Sequence, residues 1–139
     1  MSKIITIAHQ KGGVGKSTLA LNLSYRFSND VKTALTDVDP QGTIMNLQEL
    51  VEDFDIINFE TMKKLRSSEY DVVFIDSPPY IIDTIQPIFE ESDFVLVPTK
   101  VGVPDIMAIS TTIDLIKKAQ KKNKDLKAAI VLNMLKPNV

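Results

Sequence analysis

One stretch constrains this chain more than any other: His9-Gln10-Lys11-Gly12-Gly13-Val14-Gly15-Lys16-Ser17-Thr18, which follows a short apolar run and opens a segment with helical spacing. Strand, glycine-rich loop and helix in that order form the context in which backbone N–H groups close around phosphate. Gly12, Gly13 and Gly15 let the backbone curl inward, and the helix that follows adds the positive end of its dipole. Lys16 is then placed to sit on the β and γ phosphates of a nucleoside triphosphate. Ser17 is placed to give a hydroxyl to Mg²⁺, and Thr18 to donate to a phosphate oxygen at the helix start. The strict pattern puts glycine where this chain has Gln10, and an additional lysine stands at Lys11, so the motif is a variant. His9 has no neighbour at metal-ligand spacing and is assigned no role.

The rest of the chain repeats the same alternation. Short β-branched runs at Ile4 to Ala8, Thr33 to Asp37, Val72 to Asp76, Phe94 to Pro98 and Ala128 to Asn133 read as strands buried on both faces. A further short strand around Ile56 and Ile57 carries a weaker signal. Between the strands, helices are predicted over Lys16 to Ser28, Met45 to Val51, Thr61 to Ser67, Thr84 to Glu91 and Pro104 to Lys122. The last of these is expected to bury a stripe of Ile106, Ile109, Ile113 and Ile116. No internal repeat and no linker rich in Gly, Ser or Pro divides the chain. The expectation is one α/β domain over residues 1–139, a mostly parallel sheet with helices on both faces.

Acidic residues at strand ends are the next candidates, because an open parallel sheet binds its ligand beyond the carboxyl ends of its strands. Ala34-Leu35-Thr36-Asp37-Val38-Asp39-Pro40-Gln41-Gly42 ends a strand with Asp37 and Asp39 on one side of the backbone, since residues two apart share a face. Val72-Val73-Phe74-Ile75-Asp76-Ser77-Pro78-Pro79 is an apolar strand ending in a single carboxylate, the arrangement that holds Mg²⁺ or its water shell, and the prolines stop the strand. Phosphoryl transfer asks mainly for positioning and charge neutralisation, and these parts supply both, with water as the expected nucleophile.

Composition narrows the partners. With 44% hydrophobic and 24% charged residues the chain has an ordinary globular balance, and the absence of Cys excludes disulfides, thiolate zinc sites, iron–sulfur clusters and cysteine nucleophiles. No apolar run approaches the roughly 18 residues of a spanning helix, so a cytoplasmic protein without membrane attachment is expected. A formal charge of -2 gives no whole-chain attraction to polyanions. The one basic cluster is Lys117, Lys118, Lys121, Lys122, Lys124 and Lys127 around a helix end. It reads either as a solvated face complementing the helix dipole or as a weak phosphate-contacting patch.

Taken together, Lys11 with Gly12-Gly13-Val14-Gly15-Lys16-Ser17-Thr18, Asp37-Val38-Asp39-Pro40-Gln41-Gly42 and Asp76-Ser77-Pro78-Pro79 resemble the ParA/MinD superfamily of deviant Walker A ATPases, and the DxDPQG form resembles its ParA branch. The likeness runs from about Lys3 to Asn133. It implies a P-loop fold, ATP and Mg²⁺ as cofactors, and slow, partner-stimulated ATP hydrolysis in the partitioning of plasmid, chromosome or other cargo. It further implies an ATP-sandwich homodimer in which Lys11 reaches the partner's phosphates, a ParB-like activator, and non-specific DNA binding. The basic cluster at Lys117, Lys118, Lys121 and Lys122 is the candidate DNA surface, which would make the protein nucleoid-associated. By the same likeness Lys11, Lys16 and Asp39 are catalytic, Asp39 orienting the attacking water. Gly12, Gly13, Val14, Gly15, Lys16, Ser17, Thr18, Pro78 and Asn133 bind the nucleotide, with Asn133 on the adenine side. Ser17 binds the metal, and Asp37 and Asp76 hold its water shell.

Asn133-Met134-Leu135-Lys136 lacks the Asp of a guanine motif, which favours ATP over GTP. Members of the family usually continue past the strand that here ends near Asn133, with helices serving the adenine pocket and DNA binding, so a truncated or compact form is expected. The alternatives on the same fold are a small-molecule ATP-dependent kinase or ligase, and a nucleotide-binding regulator that does not hydrolyse.

Overall fold

The computed structural model describes residues 1–8, 16–38, 43–77, 82–99 and 103–132. Six strands form one parallel sheet: β1 (Lys3–Ile7), β2 (Thr33–Asp37), β3 (Asp55–Asn58), β4 (Val72–Asp76), β5 (Phe94–Thr99) and β6 (Lys127–Leu132). Their spatial order is β3-β2-β4-β1-β5-β6, with every adjacent pair parallel. Four α-helices connect them: α1 (Lys16–Ser28), α2 (Met62–Arg66), α3 (Ile82–Glu90) and α4 (Val103–Lys122). The weak strand signal at Ile56 and Ile57 is β3, hydrogen-bonded to β2 at the sheet edge.

Alternation along the strands sorts the core into two layers. Ile7, Leu35, Phe74, Phe54 and Ile56 pack with Ala20 of α1 on one face. Ile4, Val73, Ile75, Val95 and Val97 pack on the other with Ile85, Ile88 and Phe89 of α3 and Ile109 and Ile116 of α4. All five residues of β2 and of β4 are buried, as covering on both faces requires. Phe27, late in α1, meets the Phe74 ring edge-on at 5.2 Å between centroids and 86° between planes. Such a pair adds about 0.5–1.5 kcal/mol beyond area burial and fixes α1 against β4.

Three expectations are corrected. Residues 45–51 are not an α-helix: Thr43–Leu47 form a 3₁₀ helix, continued by Leu50 N–H to Leu47 carbonyl (2.9 Å) and Val51 N–H to the same carbonyl (3.2 Å). A 3₁₀ repeat brings Ile44 and Leu47 to one side over the α1-face core. The Gln48 amide meanwhile donates to the Ile56 carbonyl at 2.7 Å and ties the segment to β3. Second, β6 is not buried on both faces: it is the outer strand, with Ile130 and Leu132 exposed. Third, the α4 stripe is shorter than its spacing suggests, because Ile109 and Ile116 are buried while Ile106 is 60% exposed.

Helix ends follow local chemistry. Thr61 caps α2, its Oγ1 accepting the Lys64 N–H at 3.1 Å, and Ser67 closes it by donating to the Lys63 carbonyl at 3.1 Å. In α3, Pro87 lacks the N–H that would bond to the carbonyl one turn earlier. Beyond its end a buried hydroxyl chain takes over: Ser92 Oγ donates to the Ile88 carbonyl (2.6 Å), which leaves Thr6 Oγ1 to donate to Ser92 Oγ (2.7 Å).

Candidate functional site at the carboxyl end of the sheet

Topology places the site. After β1 the chain crosses toward β2, whereas after β4 it crosses the other way to β5, and β1 and β4 are neighbours. Oppositely directed connections from adjacent strands open a crevice beyond their carboxyl ends. β1 ends at that crevice, and the glycine-rich segment is the stretch of sequence between β1 and α1.

Two buried carboxylates stand beside it. Asp37 ends β2 and Asp76 ends β4, they are 6% and 1% exposed, and they are register partners of one another. Adjacent strands lie about 4.7–4.9 Å apart, so the two groups are side by side. Asp37 follows Leu35 and Asp76 follows Phe74 by two residues, which puts both on the face covered by α1. Like charges this close, taken out of water, favour a cation between or in front of them. Among the described residues no group of three or more His, Cys, Asp or Glu could form a protein-only metal cage. The donor set therefore suits magnesium, which is usually held by one or two carboxylates together with water and substrate phosphates.

The strand ends are tightly bound to each other. Val38 N–H donates to the Asp76 carbonyl (3.1 Å), Ala8 N–H to the Leu96 carbonyl (3.0 Å), and Ser77 N–H to the Ile7 carbonyl (3.2 Å). Ser77 Oγ donates to that same Ile7 carbonyl at 2.9 Å. Sequence reasoning assigned no role to Ser77, because the partner of its hydroxyl lies 70 residues away in the chain. Thr99, buried at the end of β5, was likewise not singled out.

Of the residues singled out from sequence, Asp37 and Asp76 are brought together, Lys16 and Ser17 are the first two residues of α1, and Thr18 is exposed in its first turn. Lys11, Gly12, Gly13, Val14, Gly15, Asp39, Pro78 and Asn133 lie outside the described residues, as does His9. Lys117, Lys118, Lys121 and Lys122 are exposed along the second half of α4, and Lys122 makes a long ion pair with Glu90 at 3.6 Å.

One cleft at the opposite end of the sheet has the wrong charge for phosphate. Its volume is about 430 Å³, and it is lined by Asp30, Glu52, Asp53, Asp55 and Asp71, with Lys32 their basic neighbour. Tyr70 donates to Asp55 at 2.7 Å. Burial first, then that hydrogen bond and the charges of Asp55 and Glu69, push the Tyr70 hydroxyl up to about 12.

Comparison with known proteins agrees with the geometry. Residues 5–139 match the CobQ/CobB/MinD/ParA nucleotide binding domain. The chain is 33% identical over 144 residues to the maintenance of carboxysome distribution protein A of Halothiobacillus neapolitanus, covering 96% of this chain and 67% of that protein. It is 28% identical over 184 residues to the chromosome partitioning protein ParA of Myxococcus xanthus, covering 95% of this chain and 64% of that one. This chain thus spans about two thirds of the length of these relatives. Its fold superposes on a cobyrinic acid a,c-diamide synthase from Mycobacterium smegmatis, crystallised with an ATP analog and magnesium, with a TM-score of 0.83 at 17% identity, over 100% of this chain and 78% of that one. That likeness speaks to fold alone. A β1/β4 switch point with a glycine-rich sequence after β1, two strand-end carboxylates in register and a match over nearly the whole chain lead to one statement: the chain belongs to the CobQ/CobB/MinD/ParA family of nucleotide-binding domains.

Proposed function

We propose that this protein is a magnesium-dependent ATPase that dimerises around ATP and uses the cycle to partition DNA or another cargo. The observation that carries the reading is the register pairing of Asp37 with Asp76 beside the start of the glycine-rich segment. In this reading Gly12, Gly13, Val14 and Gly15 present N–H groups to the phosphates, and Lys16 neutralises the β and γ oxygens. Ser17, Asp37 and Asp76 hold the metal and its water shell, Asp39 orients the attacking water, and Pro78 and Asn133 border the nucleotide. Magnesium, when bound, withdraws charge from the β and γ phosphate oxygens. Lys11 acts on the nucleotide of the partner subunit, so hydrolysis waits for dimerisation. The relatives named for carboxysome distribution and chromosome partitioning support the cargo role.

A ParB-like activator and non-specific DNA complete the proposal, with Lys117, Lys118, Lys121 and Lys122 as the phosphate-contacting face. Binding through such a face weakens linearly with the logarithm of salt concentration. No described helix is long and apolar enough to cross a membrane.

The test is oligomeric state by light scattering with Mg·ATP, Mg·ADP and no nucleotide. Wild type is expected to dimerise only with ATP, Asp39→Ala to trap that dimer and Lys11→Ala to lose it. A monomer throughout sinks the switch. Hydrolysis that starts only when a small-molecule acceptor is added would instead establish a kinase or ligase.

A further inference from the structure

The carboxyl end of the sheet contains one side-chain contact that the proposed reading does not use. Ser77 is 1% exposed and directly follows Asp76. Its N–H and its Oγ–H both reach the Ile7 carbonyl, at 3.2 and 2.9 Å, so the two lone pairs of that oxygen are filled by one residue. Ile7 is the last residue of β1 and the register partner of Asp76. Ala8 is held on the other side by β5, through its N–H to the Leu96 carbonyl.

The ladder between β1 and β4 needs only the Ser77 N–H. The hydroxyl adds a second bond at the point where β4 ends, and so restrains the peptide that sets the direction of the Asp76 side chain. Other buried hydroxyls are placed differently: Ser24 Oγ and Thr36 Oγ1 have no partner among the described residues, and Thr6 with Ser92 serves the end of α3. Ser77 instead joins the strand that carries a metal-side carboxylate to the strand from which the glycine-rich segment departs.

We propose that Ser77 is a positioning residue: its hydroxyl, clamped on the Ile7 carbonyl, sets the placement of Asp76 relative to the phosphate site and thereby tunes metal affinity rather than nucleotide affinity. The proposal rests on the nucleotide-binding reading of the site but not on dimerisation or cargo. With its hydroxyl engaged on the Ile7 carbonyl, Ser77 acts through Asp76 in this proposal. Losing one buried hydrogen bond that holds a ligand in place corresponds to a change of about three- to tenfold in the affinity it supports.

The measurement is ADP affinity by calorimetry in saturating Mg²⁺ and in EDTA, for the full chain, and the ratio of the two affinities is the quantity read. Ser77→Ala is expected to shrink that ratio about three- to tenfold while the affinity in EDTA stays within about twofold. Ser77→Thr keeps the hydroxyl and is expected to hold the ratio within about twofold of wild type. An unchanged ratio in Ser77→Ala overturns the proposal, and so does an equal loss of affinity in both conditions, the mark of a merely structural residue. If Ser77→Ala does not fold, Ser77→Thr with a ratio far from wild type overturns it as well. Wild-type ADP binding without ATP-driven dimerisation would remove the partition reading and leave the role of Ser77 standing.

Discussion

Two places in the sheet treat charge in opposite ways, the cluster around Arg66 at its amino end and the pair Asp37 and Asp76 at its carboxyl end. Around Arg66 charges are paired off: Arg66 donates to the Ser2 carbonyl at 2.9 Å, to the Glu91 carbonyl at 2.5 Å and to the Asp93 carboxylate, and Asp93 also accepts the Ile4 N–H at 2.8 Å. Asn123 donates to the Glu90 and Ser92 carbonyls at 2.9 and 3.0 Å beside them. At the carboxyl end, like charges are set next to each other, Asp37 against Asp76, both buried. A knot of opposite charges with its hydrogen bonds made stabilises the fold and has little capacity left for a ligand. Two carboxylates in register present oxygen ligands of one sign side by side, the donor chemistry that a hard cation takes. The same kinds of group thus serve architecture around Arg66 and, in the proposed reading, metal binding at Asp37 and Asp76.

That contrast breaks most visibly at Asp76. Asp76→Asn is expected to lower Mg²⁺-dependent phosphate release on the order of 100-fold, the scale of losing one group that stabilises a transition state. Thermal unfolding of the nucleotide-free protein is the control that separates loss of a metal ligand from loss of the fold. A large fall in Tm would mean that Asp76 is architectural after all. Arg66→Ala should behave in the opposite sense, with the intrinsic turnover of the folded protein near wild type. Its cost is expected to be about 2 kcal/mol, less than a fully buried pair because the two side chains are 24% and 35% exposed. In a chain of this size that is a Tm lower by roughly 6–10 °C in a calorimetric scan.

Tyr70 sharpens the picture of the amino end through pH. Its folded value of about 12 lies above the ordinary 10.0, so between those values the folded chain keeps a proton that the unfolded chain has released. The contribution is fully present below pH 10.0 and is lost as pH rises through about 12, so stability falls across that window. Absorbance titration of tyrosinate should show a late-titrating component that disappears in Tyr70→Phe, together with that part of the alkaline loss. The smallest effects belong to the unpaired hydroxyls between the two ends. Ser24→Ala and Thr36→Val each remove a buried Oγ with no partner and should raise stability by roughly 0.5–1 kcal/mol in denaturant melts.

Local chemistry was legible in advance and non-local pairing was not. β2, β4 and α1 begin and end where their residues predict, because a β-branched run or a 3.6-residue spacing is written within a few residues. Asp37 and Asp76 were legible as separate strand ends. That they face each other depends on β4 lying between β1 and β2, a strand order that no local pattern encodes. The Ser77 clamp was hidden for the same reason. Residues 43–51 misled because their apolar spacing fits an α-helix and a 3₁₀ helix equally over so short a run, and contact with β3 decides the matter. β6 reads as a buried strand by composition, since hydrophobicity alone does not say whether a strand is central or outermost.

Gln86 bears on how readily α3 can shift. Both polar atoms of its amide are buried with no hydrogen-bond partner among the described residues, one residue before Pro87 and in the helix that follows the Asp76 strand. An amide held out of water with nothing to bond costs a few kcal/mol. Any rearrangement of α3 that gives Gln86 a partner therefore starts from a state already raised in energy, and needs less work to drive it.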